Sequence, residues 1–404
     1  MTIEIVPDGH LTTPVGYTAG AVCAGMYAGG PKHGQLDLAL LVSDREAAAA
    51  GVFTQNYVKG APVLVSQERL KAGRLRGVVA NSGCSNSLNG SGGFGDAVEM
   101  TELAAAHAGL GAADIAVAST GVTGVRMPMQ KLRDGIPAIK LHPAGGPEFA
   151  RAIMTTDTRP KEIAVRVTRP SGSYAIGGCA KGSGMIHPDM ATMLAYVTTD
   201  AAIEASLLGE IQRRVSNATL NMVSIDGDTS CSDTFIILAN GAAGPPPIVA
   251  GTPEATEFEA ALRLVCTHLA RELARDGEGA SRLIEVVVTG AASHEDARKV
   301  ARTISNSPLV KTAIAGCDPN WGRILVAAGR AGALLDEPKA SLRLQGELLF
   351  QGAGRPFDEA QVSAKMDAGE VRIELDLGLG EHTATAWGCD LTVDYVHINA
   401  DYRT

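Results

Sequence analysis

The stretch Lys181-Gly-Ser-Gly-Met-Ile-His-Pro-Asp-Met190, followed by Ala191, Thr192, Met193 and Leu194, carries the chemistry of most interest. Its first half is glycine-rich and closes on a proline, a loop composition. Met193 to Val197 is a short apolar run with a β-branched end and reads as a buried strand. Thr192 therefore falls where loop becomes strand, and its hydroxyl can be held against the carbonyl of Ala191. Attack there moves the acyl group from nitrogen to oxygen, and water then breaks the ester. The chain is cut and Thr192 becomes an N-terminus. A free α-amine has a pKa of roughly 7.7–8.0, so it can serve as base for its own hydroxyl. The same residues also read as a glycine-rich turn feeding a core strand, because threonine is common at strand starts. Local chemistry leaves both readings open.

Other suggestive patterns fail on inspection. Gly90–Gly95 matches G-x-G-x-x-G, but the preceding strand ends too early and no acidic residue closes a second strand, so it reads as a loop before a helix rather than a dinucleotide site. The oxygen-rich run Asp226 to Thr234 resembles a calcium loop, yet Cys231 stands where the turn needs Gly and Ile237 where it needs Glu. It reads as a polar turn, and no metal site or cofactor is expected. His187 would be a general base only if the α-amine were not; it reads as a loop residue. The 7 cysteines include no C-x-x-C pair, and their odd number suits free thiols in a reducing cytoplasm.

The elements that must position these groups are mixed along 404 residues with 45% apolar and 20% charged residues, enough for one large core or two subdomains. A net charge of −9 without a basic tract speaks against nucleic acid as a partner. No apolar run approaches the roughly 20 residues that span a bilayer, and the N-terminus lacks a secretory pattern. Strands are expected at Leu36–Val42, from Gly51–Phe53, at Ala61–Val65, Leu75–Ala80, Ile115–Ala118, Glu162–Val167, Met222–Ile225, Phe235–Ala239, Ile284–Thr289 and Val371–Leu377. Helices are expected at Asp96–Leu110, Met127–Ile139, Ile203–Asn217, Glu295–Ile304 and, most clearly, from Thr252-Pro253 to Arg275. In that helix Thr suits the N-cap, Pro the first position, and Phe258, Leu262, Val265, Leu269 and Leu273 form one apolar face. Ser307–Thr312 and Cys317–Arg323 read as turn-like segments, and the tail as an ordered end. The class is α/β or α+β.

Eight separated segments, in this order, resemble one family: Ser119–Gly124, Met154–Thr158, Lys181–Leu194, Ser224–Thr229, Asp276–Ala280, Ser307–Thr312, Asp318–Arg323 and Tyr395–Thr404. The chain resembles the ornithine acetyltransferases, also called bifunctional glutamate N-acetyltransferases, over nearly its whole length. The resemblance implies helices packed on both faces of a layered β core. It implies self-cleavage between Ala191 and Thr192 into an α chain, 1–191, and a β chain, 192–404, that assemble as an α2β2 heterotetramer in the cytoplasm. The implied reaction passes the acetyl group of N-acetylornithine to Thr192 and then to glutamate. Thr120 and Gly121 match the pair that holds the oxyanion, where each donor is worth roughly 3–4 kcal/mol. Thr155, Lys181, Thr192, Glu278, Asn399 and Thr404 match substrate-binding positions: Lys181 suits a carboxylate, Glu278 an amine. Thr156, next to Thr155, leaves their roles interchangeable. Asp189 stands where many relatives carry Asn. Acetyl-CoA is a further acetyl donor that some family members use and the sequence leaves open. The alternative within enzymes is an N-terminal-nucleophile hydrolase of the self-cleaving aminopeptidase kind, in which water takes the acyl group; a binding module on a self-cleaved scaffold is the non-enzymatic alternative.

Overall fold

Two sheets with one long helix between them organise the computed structural model, which describes residues 1–27, 32–187 and 193–401. From the N-terminus the strands are β1 (Thr2–Ile5), β2 (Tyr17–Val22), β3 (Leu38–Phe53), β4 (Arg74–Asn81) and β5 (Ile115–Ser119). They continue as β6 (Lys161–Arg169), β7 (Gly172–Lys181), β8 (Leu194–Thr199), β9 (Val223–Ser224) and β10 (Thr234–Ala239). The C-terminal part adds β11 (Leu283–Ala291), β12 (Ser341–Leu344), β13 (Glu347–Gln351), β14 (Glu370–Asp376) and β15 (His382–Cys389). The larger sheet runs β1-β6-β7-β8-β10-β3-β4-β5, with β2 also paired to β3. The smaller runs β13-β12-β14-β11-β15-β9.

The helices are α1 (Ala61–Leu70), α2 (Gly90–Ala108), α3 (Met129–Gly135), α4 (Gly146–Ala152), α5 (Ala205–Ala218) and α6 (Pro253–Arg275). They continue as α7 (His294–Ser305), α8 (Pro308–Ala315), α9 (Trp321–Gly329), α10 (Glu359–Met366) and α11 (Val393–Asp401). α6 packs on β6 and β7 of the larger sheet and on β11 and β15 of the smaller. Its apolar face is buried as its spacing requires, and so are the small residues Cys266, Ala270 and Ala274 on its other side. The buried arc is wide, as a helix packed on two sheets needs, and an exposed stripe remains at Thr256, Ala260 and Arg263. Gly178 of β7 allows the approach: a Cβ there would lie 3.0 Å from Val265. α4 covers the opposite face of the larger sheet and α7 the outer face of the smaller. Helices on both faces of a layered β core is the expected class, and it is the one observed.

The local differences have physical reasons. Ala61–Val65 is the start of α1, not a strand: Pro62 takes a first-turn position after Gly60, and helix formers follow. The glycines of Gly90–Gly95 lie inside α2, which begins at Gly90. Leu36–Val42 and Gly51–Phe53 belong to one strand, β3, whose register on β4 shifts between Val42 and Ala47. Ser307 and Asn320 are N-caps of α8 and α9, so the turn-like segments are helix starts.

Antiparallel pairing of β7 with β8 sets Lys181 opposite Leu194, and parallel pairing of β8 with β10 sets Leu194 beside Thr234. The strand ends that flank residues 182–193 thus meet at one edge of the larger sheet.

Candidate active site

A cavity of about 260 Å³ opens at that edge. Thr120, Gly121, Thr155, Thr156, Lys181, Met193, Leu194, Glu278 and Asn399 all line it. Six residues singled out from the sequence (Thr120, Gly121, Thr155, Lys181, Glu278, Asn399) are therefore brought together. Thr192, Ala191, Asp189 and Thr404, named from the sequence, lie outside the described residues. Met193, which directly follows Thr192 in sequence, is a cavity wall, and its carbonyl accepts from the Thr234 N–H at 2.9 Å.

Thr120 and Gly121 follow β5. The Thr120 N–H donates to the Asn81 carbonyl at 3.0 Å, which fixes the turn. The Lys181 ammonium donates to the Thr120 hydroxyl oxygen at 3.2 Å. That leaves the hydroxyl proton to point away from the lysine, a donor with an adjacent positive charge. Gly121 sits at φ +119, and a Cβ there would lie 2.5 Å from the Gly83 carbonyl carbon. Only glycine fits.

Lys181 ends β7 and is buried. Burial lowers its pKa; Asp157 opposes that shift and Lys161 adds to it. Glu278 follows the end of α6. Its N–H donates to the Ser183 carbonyl at 2.8 Å, and its carboxylate accepts from the Asn399 amide at 2.8 Å. Gly184 lets that carboxylate in, since a Cβ there would be 2.4 Å from Glu278 Cδ. The cavity thus carries a cation and an anion on different walls, suited to a small zwitterion. The two threonines also separate: the Thr156 hydroxyl is tied to Ser183 Oγ at 2.7 Å, while Thr155 donates its N–H to Asp157 at 2.9 Å.

His187 is held by three groups in series. Arg302 is always a donor, so at 3.0 Å it makes His187 Nε2 the acceptor. Nδ1 then carries the proton and donates to Ser224 Oγ at 2.9 Å, and Ser224 donates to Asn306 at 2.9 Å. An imidazole held this way has no lone pair to spare for base catalysis.

Several lining residues were not singled out from the sequence. The Asp226 carboxylate accepts the N–H groups of Met185 and Ile186, so the oxygen-rich run that starts at Asp226 clamps the segment that follows β7. Burial raises the Asp226 pKa and those amides oppose the rise. Tyr395 of α11 lines the cavity too, its phenol pushed upward by burial and by Asp226 and Glu278. The sequence marks both positions without giving either a role: Asp226 lies in the segment Ser224–Thr229 and Tyr395 opens the segment Tyr395–Thr404. Among the described residues no cluster suited to hold a metal ion is present.

The ArgJ family model matches residues 22–404. A protein described as arginine biosynthesis bifunctional protein ArgJ from Dehalococcoides mccartyi is 48% identical over 404 residues, covering 100% of this chain and 99% of its own length. One of the same description from Symbiobacterium thermophilum is 50% identical over 400 residues, with 98% and 99% covered. The crystal structure of arginine biosynthesis bifunctional protein argJ from Bacillus halodurans superposes with a TM-score of 0.51 at 43% identity, covering 52% of this chain and 100% of the solved chain.

Proposed function

The chain belongs to the ArgJ family and is an acyltransferase, an ornithine acetyltransferase and glutamate N-acetyltransferase; we propose that the cavity at the β7–β8 edge performs the transfer through Thr192. The observation that carries the proposal is the convergence of Thr120, Gly121, Thr155, Lys181, Glu278 and Asn399 on the cavity that Met193 lines.

In this reading the precursor first cuts itself between Ala191 and Thr192. The Bacillus chain supports a two-chain product: it is covered completely by 52% of this sequence, about the share that 192–404 would make. The freed α-amine of Thr192 takes the proton of its own hydroxyl, whose oxygen attacks the acetyl carbonyl of N-acetylornithine. The negative charge that develops on the carbonyl oxygen is met by the Thr120 hydroxyl and the Gly121 N–H. Collapse returns the proton to the leaving nitrogen and releases ornithine. Glutamate then attacks the acetyl-threonine by the same path in reverse, giving N-acetylglutamate. Lys181 holds the substrate carboxylate and Glu278 an amine. Thr155 is the threonine that meets substrate, because the Thr156 hydroxyl is already engaged. Asn399 orients Glu278, and Thr404 completes the tail's contribution.

The transfer consumes no cofactor. Acetyl-CoA as a second donor belongs to the reading, supported by the word bifunctional in the relatives' descriptions. We also assign the α2β2 assembly and a cytoplasmic location, the latter on 7 cysteines that are all free thiols.

The test is the intact mass of the purified protein beside Thr192→Ala. Two wild-type fragments divided at Ala191–Thr192, an uncut variant, and a β fragment that gains one acetyl with N-acetylornithine are the expected results. An uncut wild-type chain that still transfers acetyl would sink the free-amine mechanism. Ornithine release sustained without glutamate would favour the hydrolase.

A further inference from the structure

Beneath the cavity lies a fully buried ammonium, that of Lys161 at the start of β6. It donates to Asp157 at 2.6 Å, to Asp276 at 2.6 Å and to the Arg159 carbonyl at 3.4 Å. Those three acceptors use its three protons. Each carboxylate is in turn committed to a wall of the cavity. Asp157 accepts the Gly182 N–H at 2.6 Å and the Thr155 N–H at 2.9 Å. Asp276 accepts the N–H and the hydroxyl of Thr158 and stands two residues before Glu278. The 155–158 loop, the end of β7 and the end of α6 thus meet at one lysine. Lys181 and the half-buried Lys32 also lie within the field of Asp157, so this carboxylate has more than one cation within its influence.

We propose that Lys161 is a positioning residue for the acetyl transfer: by engaging Asp157 and Asp276 it joins three walls of the cavity and keeps Asp157 from capturing the Lys181 ammonium, which is thereby left to the substrate's α-carboxylate. The proposal rests on the reading of Lys181 given above. A buried cation missing from this point leaves two carboxylates to find a new partner, and Lys181, next in sequence to the Gly182 N–H that Asp157 already accepts and within the field of Asp157, is a partner that also serves the substrate. The loss is then specific to substrates that carry the carboxylate.

The experiment compares N-acetylornithine with N-acetylputrescine, which lacks only the carboxylate, in glutamate-saturated turnover, with rates taken per mole of cleaved chain. The wild type should prefer N-acetylornithine in kcat/KM by about a hundredfold or more, since a site built for a charge rejects an analogue without it. In Lys161→Met the preference should shrink by about tenfold or more, with the change in KM for N-acetylornithine rather than in kcat. Parallel losses on both substrates, with the preference unchanged, would mean a merely structural role and overturn the proposal. Should Lys161→Met give no folded protein, the Lys161→Met/Asp276→Asn pair removes one charge of each sign and leaves Asp157 facing Lys181; the same shrinkage supports the proposal and an unchanged preference overturns it. Lys181→Met separates the two ideas. If it abolishes the preference while the Lys161 variants retain it, this inference alone fails. If it leaves the preference intact, the Lys181 reading fails and takes this one with it.

Discussion

The Thr120 hydroxyl is the donor whose worth is easiest to isolate. Its oxygen accepts from Lys181 at 3.2 Å, so its proton is directed elsewhere, and the neighbouring charge makes it a stronger donor. Such a group is worth most when the acetyl oxygen becomes an oxyanion. Thr120→Val keeps the shape and removes the donor. It should lower kcat for ornithine release by about 10²–10³-fold and leave KM within about threefold. A raised KM with kcat intact, read from steady-state kinetics, would show instead that the hydroxyl binds the ground state. At this scale the sequence was informative where residue type and neighbourhood both spoke. Thr120, Lys181 and Glu278 each sit in a distinctive motif. Lys161 does not: a lysine at a strand start reads as a surface residue, and although Asp157 lies within Met154–Thr158, only folding shows that both side chains are fully buried against each other.

Among the elements, α11 contributes to the site more than to the core. None of its residues is buried. It is tied down by the Asn399 amide on Glu278 at 2.8 Å and, just before it, by the Thr392 hydroxyl on the Gly279 carbonyl at 2.6 Å. Gly279, at φ +67, allows the approach, since a Cβ there would lie 2.5 Å from the Tyr395 nitrogen. Removing residues 393–404 should therefore shift Tm by no more than about 3 °C, as expected when little apolar surface is lost. A hydrogen bond to a charged group is worth about 1.5–3 kcal/mol, so KM for N-acetylornithine should rise by about tenfold or more. A large fall in Tm in a thermal melt would show that α11 carries stability instead. The element was expected to be ordered from its apolar alternation; its helical form was not legible there. The same holds for α1 and α8, where a proline in the first turn was a helix signal outweighed by β-branched or short apolar neighbours. The long amphipathic α6 was legible throughout, because periodicity over many residues leaves little ambiguity.

For the whole molecule, the proposed cut divides the chain without dividing the fold. β1 to β7 precede position 192 and β8 and β10 follow it, yet all belong to one sheet. The cut chains would pair along β7–β8, from Ile176 with Thr199 to Lys181 with Leu194, and along β3–β10, from Phe53 with Thr234 to Ala48 with Ala239. The core is shared in the same way: Ile163, Val165 and Ile176 from before the cut pack in one cluster with Phe235, Val265 and Leu269 from after it. Burying one such side chain is worth about 1.5–3 kcal/mol, and separation would expose all of them together with four strand edges, those of β7, β8, β3 and β10. The two fragments should therefore elute as one species on native size exclusion, at low protein concentration and in high salt, because the interface is apolar and little screened. They should part only in denaturant, in the same transition that unfolds them. A β fragment that leaves the column alone under native conditions would mean that cleavage reorganises the sheet, and the uncut arrangement of β7 against β8 would then not be that of the working enzyme.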